Sequence, residues 1–312
     1  MKKYFPLSFF LLALTACTSE YDKMLNDASR VGTPWEETFY ATVETAGKVD
    51  PQTKVFADSQ MRVLWNADDR VSIFNKNAYN QPFQFNGADG ANAGDFQRVN
   101  TGAEFITGNP LNYIYSVYPY SAETSISNDG VITVMLPAVQ SYKANSFGIG
   151  ANAMVSVSND NLLLFRNVGG YLSFKLFGEG AYVKSIVLRG NSHEKIAGPA
   201  TVTMAVNGTP VVEMQNKATE EIMLTCETAV ALSENAEGYT EFWFVVPPTN
   251  FSKGFTIVVT DAVGNTFEES TSNPVTISRN TISRMSPLEV APTAPFVPKN
   301  GKNENVGYDN WE

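Results

Sequence analysis

The sequence predicts an all-β protein, and three observations carry that reading. Short runs of Val, Ile, Thr, Phe and Tyr recur between clusters of Gly, Asn, Asp and Pro, the pattern of pleated strands separated by turns. The dipeptides Asp129-Gly130, Asn207-Gly208 and Gly264-Asn265 each sit between two such runs and supply the turn chemistry of tight antiparallel hairpins. Helix signals nearly vanish after residue 36.

Taken in order, the strands expected in the first half are Thr38–Glu44, Arg62–Trp65, Arg70–Phe74, Phe83–Phe85, Tyr113–Tyr118 and Val131–Leu136. In the first of these, Phe39, Ala41 and Val43 share one face, because successive side chains of a strand alternate. The second half predicts Tyr171–Leu176, Val183–Arg189, Ala200–Val206, Pro210–Met214, Glu221–Thr225, Glu241–Val246, Thr256–Thr260 and Thr266–Glu269. Residues 145–154 break the pattern and read as a loop or a helical turn. The run Phe165-Arg166-Asn167-Val168-Gly169-Gly170 punctuates the chain. It divides residues 37–165 from residues 166–290, and each half has the strand density of a β-sandwich.

The two ends differ from this body. Residues 1–16 read as a signal peptide: Lys2 and Lys3 precede the short apolar stretch Phe5–Leu14, which is too short to span a bilayer as a helix. It ends in Leu14-Thr15-Ala16-Cys17, which looks like a bacterial lipobox, with cleavage before Cys17 and acylation of that residue. Residues 17–36 are polar and irregular and read as a tether. From Ala291 to Glu312 the chain is rich in Pro, Gly and Asn, which removes the donors a central strand needs. Trp311 in this tail is either docked on a partner surface or unpacked.

Composition excludes several classes of function. Loss of Lys2 and Lys3 with the signal takes the formal charge from −10 to −12, and an acidic surface argues against nucleic acid. With Cys17 acylated, Cys226 is the one thiol left, so no disulfide forms within the chain. Cys226 lies in an apolar run and reads as a buried, inert thiol. His193 is the sole histidine and has no nucleophile elbow near it. Neither a zinc ligand set nor a phosphate loop occurs. The carboxylate pairs Asp68-Asp69 and Glu268-Glu269 read as surface charge, since neighbours in a strand point to opposite faces. No catalytic residue, metal site or cofactor is therefore expected.

Several segments together carry a resemblance. They are Leu64-Trp65-Asn66-Ala67-Asp68-Asp69-Arg70, Tyr118-Pro119-Tyr120, Leu136-Pro137-Ala138-Val139-Gln140, Arg166-Asn167-Val168-Gly169-Gly170, Ile196-Ala197-Gly198 and Val245-Val246-Pro247-Pro248. In this order and spacing, and with the lipobox, the chain resembles the fimbrillin family, the pilus and adhesin subunits of Bacteroidota. The resemblance covers roughly residues 38–290. It implies two tandem transthyretin-like antiparallel β-sandwich domains, export to the outer membrane surface as a lipoprotein, and in some members incorporation into a fimbria. It also implies assembly by β-strand addition, in which an apolar slot with unpaired backbone groups receives a strand from another subunit. Mapped onto this sequence, Arg30 followed by Val31 is the candidate processing site. Phe39, Ala41 and Val43 form the face of the first strand in the slot.

A cut after Arg30 leaves Thr38–Glu44 attached, and the proline-rich tail makes a poor donor strand. Both points favour an anchor, a tip, an accessory subunit or a free-standing adhesin over a stalk subunit. The expected partners are other pilus subunits or ligands on host or bacterial surfaces, with the membrane reached through the lipid. The alternative is a surface glycan-binding lipoprotein beside a nutrient importer, whose mark is an exposed aromatic platform. Two or more acyl chains, at about 0.8 kcal/mol per buried methylene, hold a protein stably on a bilayer. Cys17→Ala is expected to abolish acylation and release the protein from the membrane fraction. Retention of that variant with the membranes refutes the lipobox reading.

Overall fold

The computed structural model describes residues 38–44, 63–75, 78–99 and 111–290. The signal, the tether and the tail, and with them Cys17, Arg30, Val31 and Trp311, lie outside these residues. The described chain is all β, with no helix among the described residues.

In chain order the strands are β1 (Thr38–Val43), β2 (Arg70–Asn75), β3 (Ala78–Phe85), β4 (Ala93–Arg98), β5 (Ile114–Tyr118), β6 (Ser125–Ile126), β7 (Ile132–Leu136), β8 (Val139–Lys143), β9 (Ser146–Phe147), β10 (Met154–Ser158) and β11 (Leu162–Asn167). They continue as β12 (Gly170–Phe177), β13 (Tyr182–Gly190), β14 (Gly198–Thr203), β15 (Val211–Met214), β16 (Glu221–Ala231), β17 (Thr240–Val246), β18 (Thr249–Phe251), β19 (Phe255–Asp261), β20 (Thr266–Ser270), β21 (Val275–Ile277), β22 (Ile282–Arg284) and β23 (Leu288–Glu289). Residues 145–154 form turns, β9 and the start of β10 rather than a helical turn. Trp65 makes a single backbone pairing with Ala91 in place of a strand.

The three hairpins form where the turn residues are. Gly130, Asn207 and Gly264 all have positive φ and link β6 to β7, β14 to β15 and β19 to β20. In the first half, pairing runs β1-β11-β10-β5-β2-β3-β4 and closes on itself as a barrel. Its interior holds Phe39, Ile73, Phe83, Phe96, Phe165 and Trp65. Rings meet Trp65 edge-on from Phe96, Tyr118 and Phe165, with centroids 4.9, 5.3 and 5.4 Å away, the geometry that aromatic quadrupoles favour.

A four-stranded sheet, β15-β14-β7-β6, covers one outer side of the barrel. Ile132, Val134, Ala200 and Val202 of that sheet share a core with Phe74, Tyr115, Val117 and Val155 of the barrel wall. This double covering explains why β5 and β10 are buried at every position. Their sequences, Ile-Tyr-Ser-Val-Tyr and Met-Val-Ser-Val-Ser, have no charged residue to turn towards water. Tyr115 and Val117 are thus core residues, while Tyr113, just before β5, is exposed.

The second half is a sandwich. One sheet contains β17-β12-β22 with β23, and the other runs β20-β19-β13-β16-β8-β9. Leu172, Phe174, Phe242 and Phe244 from the first meet Ile186, Leu188, Leu224 and Ile257 from the second in one core. Pairing crosses residue 165: β7 pairs with β14, β8 runs parallel to β16, and Met154 and Val155 of β10 pair with Asn167 and Arg166 of β11.

Gly170 shows how closely the elements approach, since a Cβ there would lie 2.1 Å from the Ser278 carbonyl oxygen. Cys226 sits on the core face of β16 at 2% exposure. Burial pushes its thiol up to about 11, partly offset by Lys184. At pH 8 the group therefore stays in its thiol form, and the thiolate is the reactive form. Peptide mapping after iodoacetamide treatment at pH 8 is expected to find Cys226 unmodified in the folded protein and modified in guanidinium. Fast labelling of the folded protein contradicts its placement in the core.

Candidate functional site

β1 is the element whose setting stands apart. It pairs antiparallel with β4, where Phe39 faces Phe96 and Ala41 faces Gly94. On its other side it runs parallel to β11, with Tyr40 to Val43 opposite Leu162 to Phe165. The other neighbours in the barrel are antiparallel. Phe39, Ala41 and Val43 point into the barrel and are 1%, 0% and 6% exposed. The Phe39 ring meets Phe83 edge-on at 5.0 Å. Gly94, opposite Ala41, leaves room for the Phe85 ring, which a Cβ there would approach to 2.6 Å. Both of β1's partners are far from it in sequence, so no hairpin fixes its register. Side-chain fit and its own end must do so.

That end is Glu44. Its N–H donates to the Phe165 carbonyl at 3.0 Å. Its carboxylate accepts the Asn167 N–H at 2.6 Å and a guanidinium N–H of Arg166 at 3.2 Å. Arg279 donates to both of its oxygens. The Glu44 side chain is 7% exposed, and those of Arg166 and Arg279 are 29% and 20% exposed. A buried carboxylate needs such partners, because an unpaired ion in a poorly hydrated site is strongly disfavoured.

The polar seam continues into the second half. The Asn167 amide donates to Asn280 at 2.7 Å, and the Asn152 amide donates to Asn167 at 2.7 Å. The Tyr171 hydroxyl donates to Asn152 at 3.3 Å. Burial, followed by the negative charge of Glu44, holds the Tyr171 phenol well above its ordinary range, so it remains a donor.

The motifs behind the family resemblance occupy such joints. Asp69 accepts the Asn66 N–H at 2.8 Å and the Tyr118 hydroxyl at 2.9 Å, which ties the Trp65 turn to β5. Burial raises the Asp69 carboxyl, while those hydrogen bonds oppose the shift. Asp68 accepts the Gln84 amide. Gln140, 3% exposed, grips the backbone of β17, accepting the Val245 N–H at 3.0 Å and donating to its carbonyl at 2.8 Å. At the other carboxylate pair, Glu268 binds Arg189 across the strands at 3.1 Å. His193 lies in an exposed turn against Glu220 at 2.7 Å.

A separate cleft of about 430 Å³ opens at the barrel mouth between the Trp65 turn, the Asp89-Gly90 turn and residues 143–150. Asn66, Asp89, Lys143, Phe147 and Ile149 are among its lining residues.

No family model and no curated protein matches the chain. Among solved structures, it is similar to a candidate cell adhesion protein from Bacteroides ovatus, at 13% identity and a TM-score of 0.46, over 81% of this chain and 91% of that one. It is also similar to a candidate cell adhesion protein from Bacteroides fragilis, at 12% identity and a TM-score of 0.40, over 86% of this chain and 96% of that one. A fimbrial protein from Bacteroides ovatus matches at 14% identity and a TM-score of 0.33, over 83% of this chain and 51% of that one.

Sequence reasoning missed Glu44 as an ion-pair centre and missed Arg279 altogether. The one local signal was a carboxylate directly after an alternating apolar run, beside the Arg166-Asn167 pair of the fimbrillin-like segment. Of the joints described, Gln140 tests most cleanly. Gln140→Ala leaves a buried N–H and a buried carbonyl of Val245 without partners, at about 1–3 kcal/mol each. The variant is expected to lose on the order of 2–4 kcal/mol in urea unfolding. A loss below about 0.5 kcal/mol would show that the grip on β17 is dispensable.

Proposed function

We propose that this chain is a non-enzymatic, fimbrillin-like subunit of the bacterial cell surface that assembles by β-strand addition. It serves as an anchor, tip or accessory subunit of a fimbria, or as an adhesin. Residues 37–165 and 166–290 are read as its two transthyretin-like units. A lipid at Cys17 holds it to the outer membrane, and Arg30-Val31 is the point at which a protease separates it from that lipid. Its partners are other pilus subunits or ligands on neighbouring surfaces.

The observation that carries this reading is the seat of β1. A strand with no hairpin partner on either side sits between β4 and β11 and inserts Phe39, Ala41 and Val43 into the core. Without it, six barrel strands remain as an open sheet with two unpaired edges and an apolar slot between them. Unpaired backbone and exposed apolar surface together make such a slot a receptor for an extended strand. Each large side chain placed in it contributes about 1.5–3 kcal/mol, so a strand-filled joint is durable. A cut after Arg30 leaves this chain's own β1 in place, which suits an end or accessory position better than a stalk.

Protein sheared from native cells tests the proposal. It is expected in the fibre fraction as oligomers that survive sodium dodecyl sulfate and fall apart on boiling. Its terminus, read by mass spectrometry, is expected at Val31 in a processed subunit or at acylated Cys17 in an anchor. A chain that is monomeric before boiling and absent from the fibre fraction overturns the assembly reading.

A further inference from the structure

The slot around β1 carries a chemical demand at one end. Arg166 and Asn167 close β11, and Arg279 follows β21. All three belong to the slot rather than to the strand that fills it. They converge on the carboxylate that follows β1, so that both oxygens of Glu44 are used. Arg279 is anchored there independently, donating to the Asn167 carbonyl at 3.0 Å. Arg166 also reaches the Asn207 carbonyl at 3.4 Å. Two guanidinium groups and a buried backbone N–H therefore stay aimed at this point whichever strand occupies the slot.

We infer that the slot selects its strand by a carboxylate at the Glu44 register, so that a partner's strand can replace β1 only if it carries an acidic residue directly after its last inward apolar residue. The inference rests on the strand-addition reading and specifies the partner. The strand it takes is extended, with an aromatic residue at the Phe39 position, a small one at Ala41, an aliphatic one at Val43 and an acid next. An amide in place of the acid turns an N–H₂ group towards donors and leaves a cationic pair without its counter-charge. The acid also fixes register. Sliding by one residue turns the apolar face outward, while sliding by two restores that face but carries the carboxylate away from both arginines.

The test uses the full chain with a sequence-specific protease site inserted between residues 45 and 62. After nicking, the protein is incubated with excess labelled peptide spanning residues 37–45, and capture is followed by gel filtration. The native peptide is expected to be captured. A Glu44→Gln peptide is expected to be captured at least tenfold less, and a peptide with scrambled sequence not at all. In a nicked Arg279→Gln host, the preference for Glu over Gln is expected to shrink severalfold. Equal capture of the Glu and Gln peptides, with the scrambled peptide excluded, overturns the carboxylate rule and leaves strand addition standing. Capture of no peptide by the nicked protein overturns strand addition, and the rule with it.

Discussion

Closure of the first-half barrel depends on six residues brought in from outside its continuous strand set. β2 to β5 and β10 to β11 build a curved sheet by antiparallel pairing, and only β1 joins its two edges. A closed sheet has no edge exposed to stray pairing. Its interior can also be packed from every side, which suits a core dominated by large aromatic rings around Trp65. The same closure leaves the outer face of β5 and β10 free to support a second layer, the β15-β14-β7-β6 sheet.

Closure by a distant segment raises a register problem that hairpins solve elsewhere in the molecule. Where β6 meets β7, or β19 meets β20, a turn with positive φ sets the alignment. For β1 the alignment comes from the Phe39–Ala41–Val43 face and from Glu44, whose ion pairs reach residues 122 and 235 positions away. The carboxylate end of β1 thereby ties the barrel to the loop that precedes β22 in the second half. Partial burial makes this tie consequential, since removal of either sign of charge leaves the other poorly hydrated.

The family-like segments acquire physical meaning once they are seated. Asp69 in the Trp-Asn-Ala-Asp-Asp run is a turn anchor for Tyr118, Gln140 replaces a strand neighbour for β17, and Gly170 makes room for the Ser278 carbonyl. Each satisfies buried backbone or permits close approach, which is what a mostly β architecture with long-range pairing requires. The carboxylates at 68, 69 and 268 are likewise occupied in binding protein groups.

The sequence by itself determined the all-β class, the three hairpins and most of the strong strands, because turn residues and apolar runs are local signals. Arg70–Phe74 and Val183–Arg189, for example, lie within β2 and β13. It also determined the inward face of β1, since alternation is local too. It did not reveal β4, with its Ala-Gly-Asp-Phe-Gln-Arg sequence, the five- and six-residue strands β8, β10 and β11, or the short strands β6, β9, β18, β21, β22 and β23. β4 and the shortest strands have weak propensity and become strands only because a neighbour offers unpaired backbone, whereas β10 and β11 are short apolar runs whose type periodicity alone does not settle. Residues 145–154 were ambiguous for the same reason. Tertiary structure alone decided that the first sheet closes, that β7 and β8 pair beyond residue 165, and that Glu44 meets Arg166 and Arg279. Each of these joins residues far apart along the chain, and no local preference records which distant partner a strand edge or a buried charge will find.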